Sequence, residues 1–517
     1  MTDNLDNSKD IRPYSYHTFM FPFLWNDSNS KWKLLKREKF LKCIDRKLWE
    51  DEKYEQKENV DSEFIAQFNQ YRYFNKAARN AVYTTEGKKS VVYNFRYNLA
   101  ALDKTQKHSA WLAGCKGRDN PARYVITKGE KSANLAINGI RLKLFNTGIG
   151  MLIFELENYD HPSLDDFNWI NDRGRRIYMP FLNDKCECDE CADRIYITFA
   201  GKPVVSGKLK EENPKYNSIR LVEPITYLLK NDGYSVTTNM EETNSKTFYI
   251  EPIIDDRMFV AGYCVNAEAA NELTSHSENG YRYISDASAR FIDDKENAAA
   301  KWYRTTFVDG GGITCQNQEM LADMISKHTY TRWTEYGSLT GVSEYSMVTL
   351  TSADLDNNYY LARNFLTEYV EMMILVLAQR ESLLAFERMI SDSSIGKRDI
   401  GQIQKRYIEF QSQLLLKEVT PQQQGIELYK MLLENMFIEE QAAEIEKQIE
   451  ALSSQKASKS ENKENLILFL IGVLGIFEAI NCFGEWIASD VVQYGRFIVS
   501  GALVLAATGL FFVFKRK

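Results

Sequence analysis

Two stretches of the chain carry side chains and backbone that could hold a phosphate and an aromatic base. In NTGIG, Asn146, Thr147, Gly148 and Gly150 could bring backbone N–H groups near a phosphate, the alternative being a plain hairpin turn. Close behind, NDRGRR supplies Arg173, Arg175 and Arg176, which read either as an anion-binding patch or as a solvated loop. Farther on, TYTRWTEYGSLTGVSEY sets Arg332, Trp333, Tyr336, Thr340 and Tyr345 around Gly337 and Gly341. A guanidinium beside an indole suits a nucleotide's charge and base, although such aromatics also pack at domain junctions.

Catalytic signatures are missing. The chain has no G-x-x-x-x-G-K-[ST], no H-E-x-x-H and no G-x-S-x-G, and DGGGIT at 309–314 lacks the partners of a dinucleotide fingerprint. His17, His108, His161, His276 and His328 are scattered, with no pair at ligand spacing. Cys186, Cys188 and Cys191 in CECDEC could offer thiolates to zinc, but C-x-C-x-x-C lacks a second ligand pair, so a loop without metal is expected. No enzyme activity and no cofactor is expected.

The 517 residues carry 64 Lys and Arg against 71 Asp and Glu, a formal net charge of −7. With a pI near 5.6 this excludes a generic nucleic-acid binder, whose footprint is basic. A hydrophobic content of 44% with 26% charged residues excludes a disordered chain.

The elements that would position these residues change character along the chain. Residues 13–264 read mainly as strands, with RLKLFN and MLIFELEN alternating about TGIG as an antiparallel hairpin. A weaker helical stretch at 61–80 places Phe64, Ile65, Phe68 and Tyr71 on one face. After residue 354 apolar residues recur at helical spacing: one helix is expected from Leu355 to about Ser391, and another from Ile400 to Glu418. Glu368, Glu371, Arg380 and Glu381 make a membrane span over 365–386 costly, so a packed stalk is expected there. Thr420 and Pro421 suggest the N-cap and first turn of a further amphipathic helix.

Mean hydropathy is −0.40, yet residues 466–483 hold one ionisable group, Glu478, and residues 497–514 hold none. Each run is 18 residues long, enough to cross a hydrocarbon core of about 30 Å. Lys456, Lys459 and Lys463 before the first and Lys515, Arg516 and Lys517 after the second put both termini on the cytoplasmic side. The expected architecture is an α+β cytoplasmic domain (1–353), a long helical stalk (354–463) and two C-terminal transmembrane helices (464–517).

This order of elements resembles the CorA superfamily of divalent-cation channels. That family ends its first span in Gly-Met-Asn; here the place reads Ala479-Ile480-Asn481, which retains the Asn alone. Stepping back from Asn481 at helical spacing gives Phe477 or Glu478, Leu474, Leu470 and Ile467 as an expected pore stripe, which could equally face lipid. The body motifs YHTFMFPFLW, LKLFNTGIGMLIFELEN, INDRGRRIYMPFL, IIDDRMF and RWTEYGSLTGVSEYSMVTLT resemble the CRISPR-associated CorA-like membrane effectors of type III systems. The resemblance implies an antiviral effector of the bacterial inner membrane, a homo-oligomeric channel, pentameric in the superfamily. It also implies gating by a nucleotide second messenger, S-adenosylmethionine joined to AMP, with a divalent cation able to enter the pore. Two alternatives remain: a constitutive magnesium or divalent-cation transporter, and a membrane-anchored binding or enzymatic module that its spans merely tether.

Overall fold

The computed structural model describes residues 12–26, 41, 44–52, 62–84, 90–103, 117–185, 187–209, 219–230, 235–238, 247–253, 255–274, 298–310, 314–352, 361–391, 397–454, 468, 469, 472 and 475. They gather into two compact units, Met1–Asp392 with Lys405–Ala443, and Ser393–Gln404 with Glu444–Lys517. Everything below concerns the first.

Among the described residues, period-two alternation of apolar residues in long runs builds one sheet of 14 strands. In chain order these are β1 (Ser15–Asn26), β2 (Trp49–Asp51), β3 (Val92–Tyr97), β4 (Ala122–Lys128), β5 (Lys131–Phe145), β6 (Ile149–Asn158) and β7 (Arg194–Phe199). There follow β8 (Lys202–Pro203), β9 (Ser235–Thr237), β10 (Thr247–Pro252), β11 (Phe259–Val265), β12 (Thr329–Tyr330), β13 (Ser338–Val342) and β14 (Ser346–Thr351). The main order is β12-β13-β14-β11-β1-β6-β5-β4-β7-β8. Two strands are long enough to fork it: β1 pairs β11 with its first half and β10 with its second, while β5 pairs β4 and then β3. The β11–β14 and β9–β10 pairs are parallel and the rest antiparallel.

The expected hairpin is present as β5 and β6, turning through Asn146 to Gly148, where Gly148 takes φ 98°. Glycine adopts that backbone without the steric cost a Cβ would add. Gly150 serves packing instead, because a Cβ there would collide with the Phe23 ring.

The apolar face of the sheet carries Phe19, Phe21, Phe95, Leu142, Leu144, Leu152 and Phe154, all buried in one core with Ile170. Ile170 lies on helix α2 (Leu164–Gly174), whose Ser163 N-cap accepts from the Asp166 N–H. A second core around Trp302, Phe167 and Leu350 fills the β14 end. The stretch at 61–80 forms two helices, α1 (Ser62–Tyr73) and Lys76–Val82, the second capped by Asn75; Ile65 and Phe68 of the expected apolar face stay exposed.

The fold expectation requires correction beyond residue 360. The helix expected to Ser391 exists, as a π-helical turn Phe365–Tyr369 followed by α3 (Val370–Ser391), but it is a layer of the sheet unit and not a separate stalk. Residues 370–379 are all buried, and α3 packs on β1 and β6. Its apolar character all round reflects burial within the sheet unit. The later helix α4 (Gln423–Asn435) starts beyond Pro421 with Gln422 as its N-cap, while the Thr420 hydroxyl donates to the Tyr73 carbonyl and accepts from the Gln422 N–H.

The two transmembrane helices are not seen. Among the described residues no helix is long and apolar enough to cross a membrane, so the CorA-like membrane architecture and the membrane-protein and ion-channel readings are not retained. Residues 497–514, almost all of 466–483 and the expected pore residues Ile467, Leu470, Leu474, Phe477, Glu478 and Asn481 lie outside the described residues.

Two outcomes follow from the packing. Gly150→Ala should destabilise the protein by about 1–3 kcal/mol, read from its urea midpoint, because the added methyl overpacks against Phe23. Glu381 on α3 is fully buried with neither carboxylate oxygen hydrogen-bonded. Burial pushes its carboxyl up to about 8, against the opposing charges of Arg380 and Arg388 and with help from Asp255. The folded protein therefore holds a proton there that the unfolded chain has already lost, and stability falls as pH rises from about 4.5 to about 8. Glu381→Gln should flatten that slope, measured by urea unfolding at both ends of the window.

Candidate ligand site

The polar face of the same strands carries the site. Cross-strand partners share a face, and the register places Tyr16 against Glu157, Thr18 against Glu155, Arg96 against Arg141 and Asn94 against Lys143. These side chains point away from the apolar core. They open into a cavity of about 280 Å³ lined by Tyr16, Thr18, Arg96, Arg141, Glu155 and Glu157 of the sheet. Gln67 and Gln70 of α1, Glu52, and Leu366, Thr367 and Glu371 complete it. An adjoining chamber of about 100 Å³ adds Asn94, Tyr83 and Lys143.

Two backbone irregularities meet here. A β-bulge between Ile137 and Gly139 bends β5, and Asn138 reaches the cavity wall. Gly139 has no room for a Cβ, which would strike the Glu155 carboxylate and the Arg96 guanidinium. The π-helical turn, a form often found at functional sites, brings Leu366 and Thr367 to the opposite wall.

One carboxylate ties the walls together. Glu371 Oε1 accepts from Arg141 Nη1 at 2.5 Å, and Oε2 accepts from Lys143 Nζ at 2.7 Å, all three side chains being buried. Arg141 Nε also lies 2.7 Å from Glu155 Oε1. Burial alone would raise the Glu371 carboxyl, but Lys143 and Arg141 outweigh it and hold it below its ordinary range. Burial pulls Lys143 below the usual lysine range despite Glu371.

Elsewhere in the cavity the charges are less well matched. Glu157 accepts from the Tyr159 hydroxyl at 2.7 Å and is pushed up by burial. Arg96, about half exposed, has Glu52 at 3.6 Å and Glu155 at 3.7 Å. Asn94 Oδ1 is buried without a hydrogen-bond partner while its Nδ2 donates to the Val82 carbonyl. The chamber thus offers a free acceptor and a crowd of both signs of charge. Such a lining suits a small molecule that itself carries cationic and anionic groups.

The residues singled out from sequence lie elsewhere and in structural roles. Asn146 donates to Gln413, and Thr147 accepts from Ser382 of α3, so NTGIG is a turn clamped by helices. The three arginines are no solvated patch. Arg173 donates to the Asp189 carbonyl; Arg176 is buried and paired with Asp256 at 2.7 Å, Glu190 and Asp172; Arg175 is buried and donates to the Val308 carbonyl. Burial lowers the Arg175 guanidinium to about 10.

The aromatic stretch is divided. Arg332 makes two bonds to Glu427 of α4 beside Trp333 and the exposed Tyr336, whereas Thr340 bonds Thr349 within the sheet and Tyr345 lies under Arg257. Cys188 and Cys191 are buried and free, and Cys186 lies outside the described residues. Among the described residues no three His, Cys, Asp or Glu side chains are grouped to hold a metal ion.

Sequence reading passed over the residues that do converge, though two signals were present. Arg141-x-Lys143 and Glu155-x-Glu157 alternate with leucine and phenylalanine on paired strands, and Glu371 interrupts an apolar helix.

Glu371→Ala would leave Arg141 and Lys143 buried without their shared counter-charge. It should cost about 3–5 kcal/mol in urea unfolding at neutral pH. Because the folded carboxyl lies below its ordinary range, the wild-type advantage over this variant should be full above that range and vanish as pH falls through the depressed value. No family model, curated protein or solved structure matches the chain.

Proposed function

We propose that the chain is a receptor for a nucleotide second messenger of the S-adenosylmethionine–AMP type, working in antiviral defence as the motif resemblance implies. The observation that carries this reading is the mixed-charge cavity roofed by a π-helical turn. The conjugate bears a sulfonium cation and a phosphate, which need acidic and basic partners in one enclosed space. Glu157 beside Tyr16 offers the cation a carboxylate and an aromatic ring. Arg96 and Arg141 offer the phosphate guanidinium groups, and Asn94 Oδ1 can accept from an amino group. The role is binding and signal reception rather than catalysis.

Isothermal titration of the purified protein with the conjugate, ATP, S-adenosylmethionine and cyclic oligoadenylates tests this. Selective binding of the conjugate is expected, weakened about tenfold or more by Arg96→Ala, whose half-exposed side chain leaves folding intact. Absence of binding to every nucleotide would overturn the reading.

A further inference from the structure

We infer that Arg141 and Lys143 form an anion subsite that the protein's own Glu371 occupies when no ligand is bound, so that a ligand's phosphate-type group enters by displacing it. The inference rests on the cavity being a ligand site, but it concerns how that site is held shut.

Four observations converge. Glu371 bridges two cations with one oxygen each, at 2.5 and 2.7 Å, the arrangement that two phosphate oxygens would take over. Both cations and the carboxylate line the smaller chamber, so the exchange occurs at the wall of existing space. Asn94 Oδ1, nine-tenths buried, borders the same chamber, and among the described residues nothing donates to it. Finally, the π-helical turn Phe365–Tyr369, a form often found at functional sites, ends two residues before Glu371.

The charges fit an exchange rather than an addition. Arg141 already has Glu155, and Arg96 has Glu52 and Glu155, so a further anion beside Glu371 would face three carboxylates. Replacing Glu371 keeps the balance of the buried cations and frees the start of α3. That helix is pinned farther along by Ser382 to Thr147 and by Arg388 to Glu251, so a displacement at Glu371 would be felt first at Phe365–Tyr369. A ligand can shift this equilibrium only by its preference for the displaced state, and the internal carboxylate therefore sets an affinity penalty.

Inorganic pyrophosphate is the probe, titrated calorimetrically into wild type, Glu371→Gln and Glu371→Asp, with folding of each checked by near-ultraviolet circular dichroism. Removing the competing charge should tighten pyrophosphate about tenfold or more in Glu371→Gln, and shortening it should give a smaller gain in Glu371→Asp. A merely structural Glu371 would give looser binding or none in both. Should Glu371→Gln fail to fold, Glu371→Asp decides, since it keeps the charge.

In wild type, saturating pyrophosphate should speed amide hydrogen exchange over residues 361–371. Folded variants that bind pyrophosphate no tighter than wild type would overturn the inference. If the variants gain pyrophosphate affinity while no form binds the S-adenosylmethionine–AMP conjugate, the anion subsite stands and the messenger reading falls.

Discussion

The bridge from Glu371 to Arg141 and Lys143 is the constraint on which the rest of the first unit depends. The sheet has one face given over to a phenylalanine and leucine core and another that carries charge. Burying that second face under a helix is possible only if each charge meets its opposite, because an unpaired ion in the interior is far costlier than a paired one. Hydrophobic burial presses α3 onto the sheet but is indifferent to its exact rotation. The bridge, with Arg380 on the Glu344 carbonyl, Ser382 on Thr147 and Arg388 on Glu251, settles the register.

The cavity follows from the places where this arrangement departs from regularity. A bulged strand and a widened helical turn both line the gap between them, through Asn138 on one side and Leu366 and Thr367 on the other. Gly139 lets Arg96 and Glu155 approach the backbone closely where any side chain would hold them apart. What remains is a space walled by unlike charges, with an acceptor on Asn94 unmet. Local strain and unmet polar groups are tolerated where a surrounding core over-determines them, and here the core beneath is continuous across β1, β6 and β5.

Much of the local structure was legible in the chain. The β5–β6 hairpin follows from alternation about a glycine turn, and the long helix to Ser391 follows from its spacing. The same spacing leaves the packing partner open: it predicts a packed stalk, and here the helix is a layer buried on β1 and β6. For Arg175 and Arg176 the sequence leaves an anion-binding patch and a solvated loop both open, and here the two are buried against Val308 and Asp256. In both cases sequence reports composition and period, while burial depends on which other segment covers the residue.

By itself, then, the sequence determined the strand alternation, the hairpin, the helix to Ser391 and the acidic charge balance. Tertiary structure alone decided that Arg96, Arg141, Lys143, Glu155, Glu157 and Glu371 line two adjoining chambers joined at Arg141 and Glu371. Those residues are drawn from strands and a helix up to 275 positions apart, from Arg96 to Glu371 (371 − 96). Their encounter is fixed by strand register and by the docking of α3, which are properties of long-range pairing that no local pattern encodes.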